Sequence, residues 1–313
     1  MQLNTPSAST KRLTGVLSPV ITPFNADLSP DPDRLVRQCH WLLSQDVGLA
    51  VFGTNSEANS LSVDEKVELL DRLAAGGVDV ARMMPGTGCC ALTDSVRLTA
   101  HATKLGCGGV LMLPPFYYKG VSDDGLFRNF AEVIERVGDR RLRIYLYNIP
   151  PVSQVPITLS LIERLLKAYP GIVAGAKDSS GDWVNTKAYI DNFAGEGFDV
   201  FPGSETFLLQ GMRHGGAGCI SATANVNPRA IARLAASWRA TDSDTQQLRL
   251  NEIRSIFAKY PMIPALKATI AHYSGDASWA TVRPPLMELT REQKTSLVDE
   301  LDGAGFELHA RAS

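Results

Sequence analysis

The 313-residue sequence predicts an α/β fold, a (β/α)8 or TIM barrel with a small C-terminal helical appendage. Short apolar segments alternate with amphipathic segments of helical spacing eight times within roughly two hundred residues. No Gly-x-Gly-x-x-Gly turn follows the first strand, as an open dinucleotide-binding sheet would require. A closed parallel barrel therefore fits the pattern better than an open doubly wound sheet.

The predicted strands are short, apolar and bounded by Gly, Pro or polar residues, which is the pattern of buried parallel strands. They cover residues 15–21, 48–52, 82–85, 108–113, 143–147, 172–176, 198–201 and 218–221. Their regular alternation with helical segments indicates one repeated β-α unit.

The connecting segments carry clear helix signals. The first helix follows Asp31-Pro32, a capping Asp with Pro at the first helical position. The second begins at the capping box from Ser62 to Glu65. The other crossover helices are predicted over residues 93–105, 123–137, 158–168, 183–193, 205–214 and 228–238. Each is long enough to connect two parallel strands.

Strand signals stop after residue 238, and helices are predicted over residues 243–260, 262–273 and 291–301. We expect three parts: a disordered lead-in over residues 1–12, a catalytic barrel over residues 13–238 and a helical region over residues 239–313. The lead-in is polar and lacks the apolar core of a secretory signal.

Composition excludes several classes of function. The 31 basic and 33 acidic side chains are spread along the chain, so neither nucleic acid nor a membrane is an expected partner. Five cysteines without a Cys-x-x-Cys pair indicate reduced thiols and a cytoplasmic location. Five scattered histidines give no metal-ligand spacing, so no metal is expected. No cofactor is expected either. The expected partner is a small molecule.

Lys177 is the most informative residue, because it follows the apolar segment 172–176 directly. Active sites of such barrels lie where strands end. A lysine on an apolar barrel wall can have its pKa lowered, and the free amine then attacks a carbonyl to form an imine. The alternative is a solvated lysine at a strand end, since most lysines are exposed.

Other strand ends carry polar residues. The loop from Gly53 to Glu57 offers backbone N–H groups and polar side chains that could bind a carboxylate, although ordinary turns have similar compositions. Tyr117 and Tyr147 follow or end two strands, where they could relay protons or simply line the barrel rim. Gly203, Ser204 and Ser221 are expected to shape the substrate pocket.

Four motifs occur in order along the chain: Val-Ile-Thr-Pro-Phe at 20–24, Gly-Thr-Asn-Ser-Glu at 53–57, Tyr-Asn-Ile-Pro at 147–150 and Lys-Asp-Ser-Ser-Gly at 177–181. With these motifs the sequence resembles the dihydrodipicolinate synthase and N-acetylneuraminate lyase family of class I aldolases and dehydratases. The resemblance runs from residue 13 to residue 301. Each motif alone is weak, whereas the ordered set is specific.

The resemblance implies roles for five residues. Lys177 would be the imine-forming nucleophile, and Tyr147 the general acid/base beside it. Thr54 and Asn55 would bind the substrate carboxylate, and Thr54 would also belong to the catalytic set. Tyr117 would complete the proton relay across a subunit interface, because the family assembles as tetramers of paired dimers; a homotetramer or homodimer is therefore expected.

Two departures from the family pattern concern the second substrate. Dihydrodipicolinate synthases carry an Arg where this chain has Val152. Losing a charged hydrogen bond to a second carboxylate removes on the order of 1.5 to 3 kcal/mol. Asn55-Ser56 replaces the more usual Thr-Gly and is similar to the 4-hydroxy-2-oxoglutarate aldolase branch.

The leading hypothesis is a lyase that forms a Schiff base with pyruvate or another 2-oxo acid. It would catalyse aldol cleavage, aldol addition or dehydration of a hydroxylated 2-oxo acid, either a 2-oxo-3-deoxy sugar acid or a compound of the 4-hydroxy-2-oxoglutarate type. One alternative is 4-hydroxy-tetrahydrodipicolinate (dihydrodipicolinate) synthase. Another is a non-catalytic 2-oxo acid-binding protein, since fold does not determine function.

Overall fold

The computed structural model describes residues 12–308, in which parallel strands alternate with helices. The strands are β1 Gly15–Ser18, β2 Gly48–Leu49, β3 Val110–Met112, β4 Ile144–Asn148, β5 Val173–Asp178, β6 Asp199–Pro202 and β7 Gly218–Ile220. All ladders between them are parallel. The predicted α/β barrel is confirmed, with seven regular strands in the described chain instead of eight.

The barrel closes through an irregular eighth segment. Strands β2-β1-β7 form one sheet and β3-β4-β5-β6 another. Between β2 and β3, Met84 N donates to Leu49 O at 2.7 Å and Leu111 N donates to Pro85 O at 2.9 Å. The prediction of a regular strand over residues 82–85 was therefore wrong. Pro85 has no N–H to donate, so the hydrogen-bond ladder is interrupted there. On the other side of the barrel, between β6 and β7, Ala217 N donates to Val200 O at 2.9 Å.

Helices surround this ring in the described chain. They are α1 Pro32–Ser44, α2 Val63–Ala75, α3 Leu92–Leu105, α4 Asp123–Val137, α5 Pro150–Ser153, α6 Leu159–Ala168, α7 Trp183–Phe193, α8 Leu208–Arg213, α9 Pro228–Ala236, α10 Ser243–Phe257, α11 Met262–Ser274 and α12 Arg291–Gly303. The predicted caps are confirmed: Asp31 accepts from Arg34 N, and Ser62 and Glu65 form a reciprocal capping box.

Two helical segments differ from prediction. The predicted helix 205–214 is split into a 3-10 turn, Glu205–Phe207, and α8. In this turn the Glu205 carboxylate is held by the hydroxyls of Ser221 and Thr223. Helix α5 was not predicted; its single turn starts at Pro150, directly after β4.

The barrel interior is filled by side chains, including Leu111, Tyr145, Tyr147, Phe201 and Ile220. Residues 1–11 of the predicted lead-in, and residues 309–313, lie outside the described residues. The guanidinium of Arg12, the last residue of the predicted lead-in, pairs with Asp199 at 2.8 Å at the amino-terminal end of β6.

Helices α10 to α12 pack around a shared core that includes Phe257, Leu266 and Leu301. Ile21 and Ala222, which follow β1 and β7, belong to the same core, so this helical layer covers part of the barrel's carboxyl end. Within residues 12–308 no helix is long and apolar enough to cross a membrane. The division into a barrel and a helical region at residue 238 stays a prediction.

Candidate active site

Lys177 and Tyr147 form the centre of the site. Lys177 lies within β5 and not after it, because the ladder continues through Asp178, which pairs with Asn148 and Pro202. Its side chain is buried, at 2% exposure, and Nζ lies 3.2 Å from the Tyr147 hydroxyl and 4.3 Å from the ring centroid. The solvated-lysine interpretation is therefore wrong.

Thr54 extends this pair to the loop after β2. Its Oγ1 lies 3.1 Å from the Tyr147 hydroxyl, so Thr54, Tyr147 and Lys177 form one chain of polar groups. Thr54–Ser56 is a 3-10 turn in which Asn55 is half-buried. The first N–H groups of a helical turn have no partner within it, which leaves those of Thr54 and Asn55 available to an anion.

The residues that follow Tyr147 and Lys177 hold their strands in register. Asn148 Nδ2 donates to Asp178 Oδ1 at 2.8 Å, and Asn148 Oδ1 accepts from Ile157 N at 3.0 Å. Asp178 also accepts from the hydroxyls of Ser180 and Thr186. These polar groups satisfy each other's hydrogen bonds inside the protein. The Asn and Asp of the two motifs therefore join β4 to β5.

Gly203 and Ser204 lie on the adjacent loop after β6. A Cβ on Gly203 would lie 2.0 Å from Ser179 Oγ, so this position requires glycine for the close approach of the two loops. Ser204 Oγ lies 2.9 Å from Thr206 Oγ1, which gives a pair of partly buried hydroxyls at the mouth.

The hydroxyl of Ser221 contacts the buried carboxylate of Glu205, which the sequence analysis did not identify. This hydroxyl accepts from Glu205 N at 3.2 Å and donates to the Glu205 carboxylate, which Thr223 also contacts. Arg254 approaches Glu205 at 3.6 Å from helix α10. Burial raises the pKa of the nearby Cys219 thiol, so that thiol stays protonated where β7 packs against the surrounding helices.

Tyr117 is not part of this cluster within one chain. It is 74% exposed on the loop after β3, where its ring packs edge-on against Tyr118. Among the described residues no hydrogen bond joins it to Thr54 or Tyr147. Val152, at the position of the family's Arg, is 61% exposed on α5.

A buried ion pair beneath the Thr54 loop was also missed. Glu57, at the end of the loop, pairs with Lys267 of α11, and both side chains are fully buried. Pairing of residues so far apart has no local sequence signal. Over residues 12–308, no group of three or more His, Cys, Asp or Glu residues is placed to hold a metal ion.

An amine beside a phenol at the mouth of a parallel barrel is the arrangement of a lyase that acts on carbonyl compounds. The chain belongs to the dihydrodipicolinate synthetase family, whose model matches residues 12–304. The family resemblance found from the four motifs is thereby confirmed.

Comparisons with individual proteins support membership of this family. The chain is 32% identical over 286 residues to an uncharacterized DapA-like lyase of Chloroflexus aurantiacus, covering 90% of this chain and 94% of that protein. The crystal structure of dihydrodipicolinate synthase from Agrobacterium tumefaciens is 31% identical, with a TM-score of 0.86 over 95% of this chain and 100% of that one. YagE from E. coli K12, a prophage protein of the same family crystallised with pyruvate, is 25% identical, with a TM-score of 0.87 over 94% and 99%.

Proposed function

We propose that this protein is a class I lyase that holds a 2-oxo acid such as pyruvate as a Schiff base on Lys177. It then catalyses aldol cleavage, aldol addition or dehydration of a hydroxylated 2-oxo acid. The observation that carries the proposal is the buried amine of Lys177, 3.2 Å from the Tyr147 hydroxyl. The pyruvate complex of YagE, a member of the same family, supports the choice of substrate class.

The Thr54 loop is the proposed carboxylate site. The hydroxyl of Thr54 is 3.1 Å from that of Tyr147, which itself contacts Lys177. A 2-oxo acid whose carboxylate binds Thr54 and Asn55 would present C2 to the Lys177 amine. Hydrogen bonds to a charged acceptor are stronger than neutral ones, so this contact fixes both affinity and orientation.

Imine formation follows from this placement. The free amine of Lys177 attacks C2 to give a carbinolamine, and Tyr147 donates a proton to the departing hydroxyl, which leaves as water. The protonated imine withdraws electrons from C3. Thr54 can pass protons onward from Tyr147 because the two hydroxyls are within hydrogen-bond distance.

Bond cleavage then proceeds from the imine. In the aldol direction, a base removes the proton of the C4 hydroxyl, the C3–C4 bond breaks to release C4 as an aldehyde, and the electrons of that bond form an enamine with Lys177. Protonation at C3 and hydrolysis release pyruvate and restore the amine. In dehydration, loss of a C3 proton gives the enamine, which expels the C4 hydroxyl as water once that oxygen takes up a proton. Hydrolysis of the resulting conjugated imine releases the product and restores the amine. Both routes use the same lysine and tyrosine.

The hydroxyl pair of Ser204 and Thr206 favours a hydroxylated substrate, such as a 2-oxo-3-deoxy sugar acid or a 4-hydroxy-2-oxoglutarate. Val152 supplies no charge for a second carboxylate at the position of the family's Arg. The likeness to the Agrobacterium dihydrodipicolinate synthase supports the second candidate, condensation of pyruvate with aspartate semialdehyde. Turnover with each substrate separates the two.

The relay includes Tyr117 only if a second copy of the chain supplies it, so we propose a homotetramer or homodimer. Tyr117 and Tyr118 are exposed together near the mouth, as expected of an apolar contact surface. Mixing inactive Tyr117→Phe and Tyr147→Phe variants should restore activity, because each mixed dimer gains one complete site. If the relay lay within one chain, mixing would restore nothing.

Five free cysteines suit a reducing compartment, so the proposed location is cytoplasmic, with a small-molecule substrate and no nucleic-acid or membrane partner.

Borohydride trapping with pyruvate, followed by peptide mass analysis, tests the proposal. The expected result is an adduct on Lys177 that is absent from Lys177→Ala and unchanged in Lys187→Met, which removes a partly exposed lysine of helix α7. Pyruvate binding without any adduct would favour the non-catalytic binding protein.

A further inference from the structure

A buried ion pair connects the proposed carboxylate loop to the C-terminal helices. Glu57 ends the loop that contains Thr54, and Lys267 lies in the middle of α11. Both side chains are 0% exposed, and their charged groups are in direct contact. In the described chain no hydrogen bond or ion pair joins either side chain to Lys177 or Tyr147.

The segment after α11 holds both partners of the pair. Lys267 Nζ donates to Thr281 O at 2.7 Å, and Arg283 N donates to Glu57 Oε2 at 2.9 Å. The Phe24 ring lies under the ammonium, with Nζ 4.4 Å from its centroid. The pair therefore has a fixed geometry, since backbone groups as well as opposite charges hold it.

Such a pair is costly as a means of stabilisation. Desolvation of two charges carries a large free-energy cost, and apolar replacements of buried pairs are often neutral or stabilising. A buried pair is better explained where it specifies one arrangement of the backbone. The loop here requires such specification, because Phe52 and Glu57 at its two ends have φ of 60° and 56°.

Positive φ is strained for residues with large side chains and persists only where surrounding contacts enforce it. Glu57 provides such contacts at one end of the loop. Its N–H donates to Thr54 O at 3.1 Å while its carboxylate is held from α11, so a shift of Glu57 moves Thr54 directly. Thr54 in turn contacts the Tyr147 hydroxyl.

We propose that the Glu57–Lys267 ion pair fixes the position of the loop that contains Thr54, so that this loop can bind the substrate carboxylate. This inference rests on the proposed function. Glu57 and Lys267 are positioning residues, because they act on substrate affinity and alignment through Thr54 and Asn55. Through this pair the C-terminal helices influence a site to which they contribute no catalytic group.

The experiment compares four variants. Glu57→Gln and Lys267→Met each leave one buried group without its partner, whereas the double variant removes both charges and avoids an unpaired buried ion. Arg283→Met is the matched control. It removes the ion pair with Glu65, the hydrogen bonds to the Leu28 and Ser60 carbonyls and the contact with the Phe24 ring, which also join the C-terminal segment to the barrel. It keeps the backbone N–H that binds Glu57.

Borohydride trapping is measured against pyruvate concentration at a temperature where circular dichroism shows each variant folded. We expect half-maximal trapping to require about tenfold more pyruvate in the double variant, since small misplacements near a reacting group have large effects. The adduct should still form on Lys177 at saturation. Arg283→Met should lower the melting temperature without changing half-saturation.

Three outcomes decide the inference. Unchanged half-saturation in the folded double variant would overturn it and leave the proposed function intact. An equal rise in Arg283→Met would also overturn it, because the effect would then reflect general loosening of the C-terminal segment. Absence of any adduct in the wild-type protein would overturn the proposed function and this inference together.

Discussion

The Tyr147 hydroxyl lies 3.2 Å from Nζ of Lys177, and the two residues are paired in register on adjacent parallel strands. Register partners on parallel strands point to the same face, so both side chains enter the barrel at one level. The next pair along the strands, Asn148 and Asp178, is hydrogen-bonded at 2.8 Å and prevents slippage. The distance between amine and phenol is therefore a property of the sheet.

Tyr147→Phe should lower kcat by about 10² to 10⁴, because it removes the proposed acid/base hydroxyl and keeps the ring. Tyr145→Phe is the matched control. Tyr145 is on the same strand and faces the same interior, but its hydroxyl contacts Asp199 at the opposite end of the barrel. Steady-state rates should separate the two variants. Equal losses would show that barrel packing, and not proton transfer, limits turnover.

The sequence analysis located this pair because parallel strands bring their carboxyl ends to one face, so Lys177 and Tyr147 could be placed together from pattern alone. It did not locate Glu57–Lys267 or the contacts of Glu205, since pairings between distant segments depend on tertiary packing. The third strand was overpredicted because its apolar residues gave a strand signal, whereas Pro85 interrupts the ladder.

Val152→Arg should raise turnover of aspartate semialdehyde with pyruvate. Val152 is exposed on α5, so an arginine fits without repacking, and it could bind the second carboxylate of that substrate. One to two charged hydrogen bonds correspond to a gain of about ten- to a hundredfold in kcat/KM. A coupled reductase assay measures it. Val152→Gln, which is polar and uncharged, is the control; an equal gain in that variant would contradict the charge argument.

Gly203→Ala should destabilise the protein and weaken pyruvate binding. The added Cβ would lie 2.0 Å from Ser179 Oγ and 2.9 Å from Ser179 Cα, close to the end of the strand that carries Lys177. Overpacking of this kind costs about 1 to 3 kcal/mol, measurable by urea unfolding. Gly125→Ala in α4 is the control, because its Cβ would have ordinary contact at 3.6 Å. Equal stability of the two variants would argue against tight packing between these loops.

Lys267 should make the stability of the protein rise with pH above neutrality. Burial lowers its pKa to about 8, against 10.5 for an ordinary lysine, although Glu57 opposes the shift; Arg34 lowers it further and Glu288 raises it. Between these two values the unfolded chain binds more protons at this site than the folded chain does. The cost of keeping Lys267 charged is therefore fully present below pH 8 and is relieved as pH rises toward 10.5.

The double variant Glu57→Gln/Lys267→Met lacks this titration and serves as the reference. The free energy of unfolding of the wild type, minus that of the double variant, should rise above pH 8 by up to about 1.4 kcal/mol per pH unit. A difference that stays flat from pH 7 to pH 10 in chemical denaturation would show that Lys267 keeps its proton equally in both states.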